Sequence, residues 1–306
     1  MTELTQELAS EGQVKQLIRD GQDAVERAIK EFTGLSKQGA ECVRGNADFT
    51  ARIREATTLA LTELSIIDRF ANEEVGSSYG YLSGYRKPVA VADQIDILRS
   101  HWPSLNPDKA IAYARDVYPT FQLPGWIEGP FVWIRPGFFS NVYGEEVEEV
   151  LKALKKDRKG RFVNYRENRL GPDRLRQNVR TVAALQQIVE RQPDSDLIIV
   201  PSQFGIRHRG RSVRRAREVF DAPEFGTGAK DGGTMMLTNP IRLQHYDDLW
   251  IDMAGDDYHD PQYSDAPFAR APFFGFYDRR LEFGTEWSGR AIDVCGSASG
   301  FLVPQS

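Results

Sequence analysis

The sequence predicts an α+β protein, a mixed β-sheet flanked by helices and preceded by an N-terminal helical hairpin. Three observations lead there. Residues 1–75 place apolar or small side chains at helical spacing, with no proline before Pro88. From 131 to 237 short apolar runs alternate with helical patterns, which favours parallel strand pairs covered by helices. The last seventy residues read as strands and loops.

The N-terminal series is Val14, Ile18, Gly21, Val25, Ala28 and Phe32, a heptad seam. Gly34-Leu35-Ser36 reads as a turn. Phe49, Ile53, Ala56, Ala60, Leu64 and Ile67 continue at the same spacing. Two such helices make an antiparallel hairpin, and their stripe is either internal packing or a surface for homo-oligomer formation. Glycines and tyrosines from Gly76 to Tyr85 then break the pattern. The predicted division is therefore a helical arm over 1–75, a linker and loop region over 76–104, and a globular domain over 105–306.

Within that domain Asn106-Pro107-Asp108 starts a helix that stops before Pro119. Phe131–Ile134 reads as a buried strand and Glu145–Asp157 as a helix with acids first and lysines last, which suits the helix dipole. A strand at 161–165, a helix over 172–191 and the buried strand Leu197–Val200 follow. Arg211–Phe220 reads as helix, Met235–Leu237 and Leu249–Met253 as strands, and 273–283 as a hairpin turning near Asp278.

Composition narrows the function classes. The chain has 306 residues, with 41% apolar and 27% charged side chains, enough for a core without disulfides or metals. Its net charge of -5 argues against chain-wide nucleic-acid binding. Cys42 and Cys295 are too few for a disulfide framework and read as reduced thiols. No stretch resembles a signal peptide or a membrane span, so the expectation is a cytoplasmic protein with no membrane partner.

The strongest candidate site follows Val200. Six arginines fall between Arg207 and Arg217. Arg207, His208 and Arg209 lie in a loop with Gly205 and Gly210. Arg211, Arg214 and Arg215 share one face of the following helix, opposite Val213, Ala216 and Phe220. A buried strand leading through a glycine-bearing loop to a helix N-terminus is a natural anion site, and guanidinium forks match phosphate oxygens. A phosphate-bearing ligand or a nucleic-acid backbone would fit there. The competing use is pairing with the chain's own acids, 44 in all. Gly226-Thr227-Gly228 is the nearest approach to a phosphate loop, without a convincing strand before it and helix after it.

The second candidate is acidic. Six aspartates lie between Asp247 and Asp260, with His245 and His259 nearby. Asp252, Asp256, Asp257 and His259 could hold magnesium or manganese for a phosphoesterase or nucleotide hydrolase, although no cofactor is the leading expectation. The 296–300 segment resembles a nucleophile elbow but has Ala298 at its centre, and reads as a flexible tail. Three functions follow: a phosphate-binding protein, a structural or scaffold protein, and a metal-dependent hydrolase.

Overall fold

The computed structural model describes residues 11–31, 36–44, 46, 49–54, 57, 69–263 and 265–304. The chain divides into two compact units, Met1–Arg69 and Phe70–Ser306. In the first, α1 spans Glu11–Glu31 and α2 spans Lys37–Arg44, and residues 49–54 are helical. Leu17, Ile18 and Ile29 of α1 are exposed. Phe32, the expected turn at Gly34-Leu35, and Ala56, Ala60, Leu64 and Ile67 lie outside the described residues.

The larger unit holds a ten-stranded mixed sheet. Its first strands are β1 (Gly129–Ile134), β2 (Phe162–Asn164), β3 (Leu175–Gln177), β4 (Leu197–Gln203) and β5 (Glu224–Gly226). They are followed by β6 (Trp250–Met253), β7 (Asp256–Tyr258), β8 (Arg270–Tyr277), β9 (Arg280–Trp287) and β10 (Cys295–Phe301). β4 is buried along its whole length, as its apolar run predicts. It pairs antiparallel with β1, from Gly129 opposite Ser202 to Ile134 opposite Leu197. On its other side it meets β10, which runs parallel to β6. The β8–β9 hairpin turns at Asp278-Arg279, both at positive φ, a conformation that matches the twist of the flanking strands.

Helices cover the sheet. They are α3 (Val91–His101), α4 (Asp108–Asp116), α5 (Tyr143–Asp157), α6 (Val179–Arg191), α7 (Val213–Glu218) and α8 (Ala229–Thr238). α8 is buried at every residue, packed between β1, α3 and α5. Trp133, Ile134, Val147, Leu154, Met235, Met236 and Phe274 belong to one core cluster. No helix among the described residues is long and apolar enough to cross a membrane.

Four local expectations are corrected. Met235–Leu237 is the end of α8, because a short apolar run reads alike for a buried strand and a buried helix. The helix expected over 172–191 starts only at Val179; Leu175 sits in β3, and Asn178 caps the helix by accepting the Arg180 N–H at 3.0 Å. Val179 and Val182 are consequently exposed, and Thr181, Ala184, Leu185 and Ile188 face inward. The supposed tail at 296–300 is the interior of β10, with all seven strand residues buried. The parallel pairs are β10–β6 and β2–β9, whereas β1 and β4 run antiparallel.

Candidate functional site

The arginine segment leaves β4 through a sharp turn. Gly205 has φ +116 and Gly210 has φ +74, both in the region that favours glycine. Each glycine admits the chain's own backbone. A Cβ on Gly205 would stand 2.5 Å from the Gly296 carbonyl oxygen, and one on Gly210 would stand 2.2 Å from that of Val75. Ser212 caps α7, its hydroxyl accepting the Arg215 N–H at 3.0 Å. Val213 and Ala216 face inward, as their spacing predicts.

Five of the six guanidinium groups meet acids of this chain, and that of Arg209 meets a backbone carbonyl. Arg207 reaches Asp221 at 2.7 Å and Glu224 at 3.2 Å, and lies over the Trp126 ring at 4.3 Å. Arg211 reaches Glu74 at 3.3 Å. Arg214 pairs with Glu73 and lies over the Phe70 ring. Arg215 bridges Glu74 at 2.5 Å and Glu218 at 2.7 Å. Arg217 bonds Asp257 at 2.8 Å and donates to the carbonyls of Ala254 and Asp256. Arg209 donates to the Tyr79 carbonyl at 3.1 Å. The hydrogen bond from Arg215 leads the forces that hold the Glu74 carboxyl below its ordinary range.

His208 is fully enclosed. Its Nε2 lies 2.7 Å from Glu224, and its Nδ1 lies 3.2 Å from Arg211 Nη1. Burial pushes its pKa down, with Arg211 and Arg207 adding to the effect against Glu224. A neutral ring fits both contacts, donating from Nε2 and accepting at Nδ1.

These contacts form a clamp on residues 70–77. Glu74 and Arg211 make an isolated β-bridge, the Val75 N–H donates to the Gly210 carbonyl, and the Ser212 N–H donates to that of Glu73. The Ser212 hydroxyl donates to the Glu73 carboxylate at 2.6 Å, and Glu218 accepts the Phe70 N–H.

The aspartates disperse. Asp252, on β6, pairs in register with Ser297. Strand alternation sends the neighbouring Asp256 and Asp257 to opposite faces of β7. Asp257 meets Arg217, and also Arg176 at 3.6 Å. Asp256 accepts from the Ala229 N–H at 2.7 Å and the Tyr143 hydroxyl at 2.9 Å. His259 lies beside Phe268 with the two rings tilted, its Nδ1 buried and without a hydrogen-bond partner. Among the described residues no three His, Cys, Asp or Glu side chains come together as metal ligands. Asp248 caps a turn by accepting the Gln244 and His245 N–H groups.

Two buried polar nests were missed by sequence reasoning. In one, Tyr81 and Tyr85 donate to Glu128 at 2.5 and 3.0 Å, beneath the buried Arg242 guanidinium. The second surrounds the start of α8. Here the Gly226-Thr227-Gly228 loop does join a strand, β5, to a helix, contrary to the sequence reading. The group at that helix N-terminus is the carboxyl of Asp256 in the same chain. A Cβ on Gly228 would stand 2.9 Å from its carboxylate. Lys230, Asp231 and Glu146 lie enclosed beside it, at 1%, 0% and 3% exposure. The one available signal was Lys230-Asp231 inside an otherwise small and apolar stretch. A cleft of about 670 Å³ opens over α5, lined by Trp102, Phe139, Glu145, Glu148 and Leu170, and contains none of the predicted arginines or aspartates.

Comparison with family models, curated proteins and solved structures yields no match. The fold defines the class: an α+β protein with a mixed sheet.

Proposed function

We propose that this chain is a structural or scaffold protein, in which the arginine-rich segment is an internal clamp. The observation that carries the reading is the bridging of Arg211, Arg214 and Arg215 to Glu73, Glu74 and Glu218. A site built for phosphate would hold its forks open to solvent, and here their carboxylate partners already occupy them. The clamp fixes residues 70–77, the segment that follows the helical unit, onto the loop leaving β4. The exposed Leu17, Ile18 and Ile29 of α1 support self-association through the N-terminal helices as part of this reading. The free thiols Cys42 and Cys295 accord with a reducing, cytoplasmic setting.

Thermal melting of Arg214→Ala/Arg215→Ala tests it. Glu73 and Glu218, with side chains only 13% and 12% exposed, would lose their guanidinium partners. The loss expected is about 2–4 kcal/mol, between the values for surface and buried pairs. An unchanged melting temperature would count against the clamp.

A further inference from the structure

Lys230 carries a primary amine inside the core. Its Nζ donates to the Ile134 carbonyl at 2.9 Å and stands 3.5 Å from Glu146 Oε2 and 3.8 Å from Asp231 Oδ1. The other Glu146 oxygen, Oε1, accepts the Gly137 N–H at 2.9 Å and the Phe139 N–H at 3.4 Å. Neither oxygen of Asp231 meets a hydrogen-bond donor, although the residue is wholly enclosed. Buried carboxylates normally collect hydrogen-bond donors, so one that meets none asks for another use. Beside the Tyr143–Asp256 pair, the elements that carry these groups contribute Ile134, Val147 and Leu154 to the apolar core.

We propose that Lys230 and Glu146 condense to an intramolecular isopeptide bond, with Asp231 carrying the proton. The parts match amide formation. A desolvated lysine amine is a nucleophile, and two backbone N–H groups on one carboxyl oxygen stabilise the charge that grows there on attack. A proton first passes from the Lys230 ammonium to Oε2 of Glu146, which frees the amine lone pair for attack. Nζ then attacks Cδ. Negative charge develops on Oε1, facing the Gly137 and Phe139 N–H groups. Asp231 takes a proton from Nζ and returns it to Oε2. The Cδ–Oε2 bond breaks, the Nζ–Cδ bond remains, and one water leaves. Nothing is oxidised or reduced, and Asp231 ends as it began. The product joins α5 to α8 covalently through the core.

This inference does not rest on the clamp, which involves other residues, and its test reads mass rather than stability. Intact-mass spectrometry of the folded full-length chain, after prolonged incubation, should find one water fewer than the sequence requires. Peptide mapping should recover the Lys230 peptide joined to the Glu146 peptide. Lys230→Met should keep the full mass, and Asp231→Asn should slow the water loss. The proposal is overturned if the wild-type chain retains its full mass. It is overturned equally if the lost water maps to a hydroxylamine-sensitive imide at an Asp-Gly step, Asp20-Gly21 or Asp231-Gly232.

Discussion

Asp256 shows how a single residue links the site chemistry to stability. Burial drives its carboxyl up to about 8, against the Ala229 N–H and the Tyr143 hydroxyl, with Asp231 and Asp257 adding like charge. Asp231 is pushed up to about 6 by burial, partly offset by Lys230. A carboxyl raised in the folded state binds a proton that the unfolded chain releases. Its stabilising contribution is therefore complete below the unfolded value near 3.8 and is lost as pH rises through the folded value near 8. The melting temperature should fall from about pH 4 to about pH 8, with Asp231 contributing to the lower part of that range and Asp256 to all of it. Asp256→Asn, which keeps the shape and an acceptor for Ala229, should flatten that fall. A variant with the wild-type slope would place the titration elsewhere. Sequence reading singled out Asp256, but as a metal ligand. Nothing in the local spacing of the 247–260 segment reveals that its partner is a helix N-terminus supplied by residue 229, distant in the chain.

At the scale of elements, what could be read depended on whether local pattern or tertiary contact decides. The run Leu197–Val200, the helix after Asn106-Pro107, which begins at Asp108, and the turn at Asp278-Arg279 carry their own physics, and the structure has each. The glycine-rich β10 carries little, since Gly296, Ser297, Ala298, Ser299 and Gly300 have weak strand preference alone. Its place in the sheet comes from close approach. A Cβ on Gly296 would stand 2.4 Å from the Gly205 carbonyl, the reciprocal of the Gly205 contact. Gly205→Ala combines that overlap with a positive φ and should cost more than about 2 kcal/mol, measured by chemical denaturation. A loss within a few tenths would show that the two backbones can separate freely. The arginines were legible as a cluster, but their partners Glu73 and Glu74 lie too far away in sequence for spacing to reveal them.

For the molecule as a whole, the division falls at Arg69–Phe70 and leaves residues 70–104 with the larger unit. Aromatic chemistry explains part of this. Tyr85 is buried edge-on against Phe204, and Gln94 bonds the backbone of Val132 at 2.9 Å, so the region sketched from sequence as a linker contributes to the core. A chain comprising residues 70–306 should therefore melt in one cooperative transition, visible by calorimetry, whereas a broad non-cooperative signal would mean that the core needs the preceding residues. The central claim concerns the charge balance of that body: the arginine segment is neutralised from within. The most direct measurement is nuclear magnetic resonance of the arginine Nε–H groups during titration with inorganic phosphate. The clamp predicts that the Arg207, Arg211, Arg214 and Arg215 signals stay in place and remain protected from solvent exchange. Saturable shifts of those signals with phosphate, abolished in Arg214→Ala/Arg215→Ala, would contradict it and restore an oxyanion site.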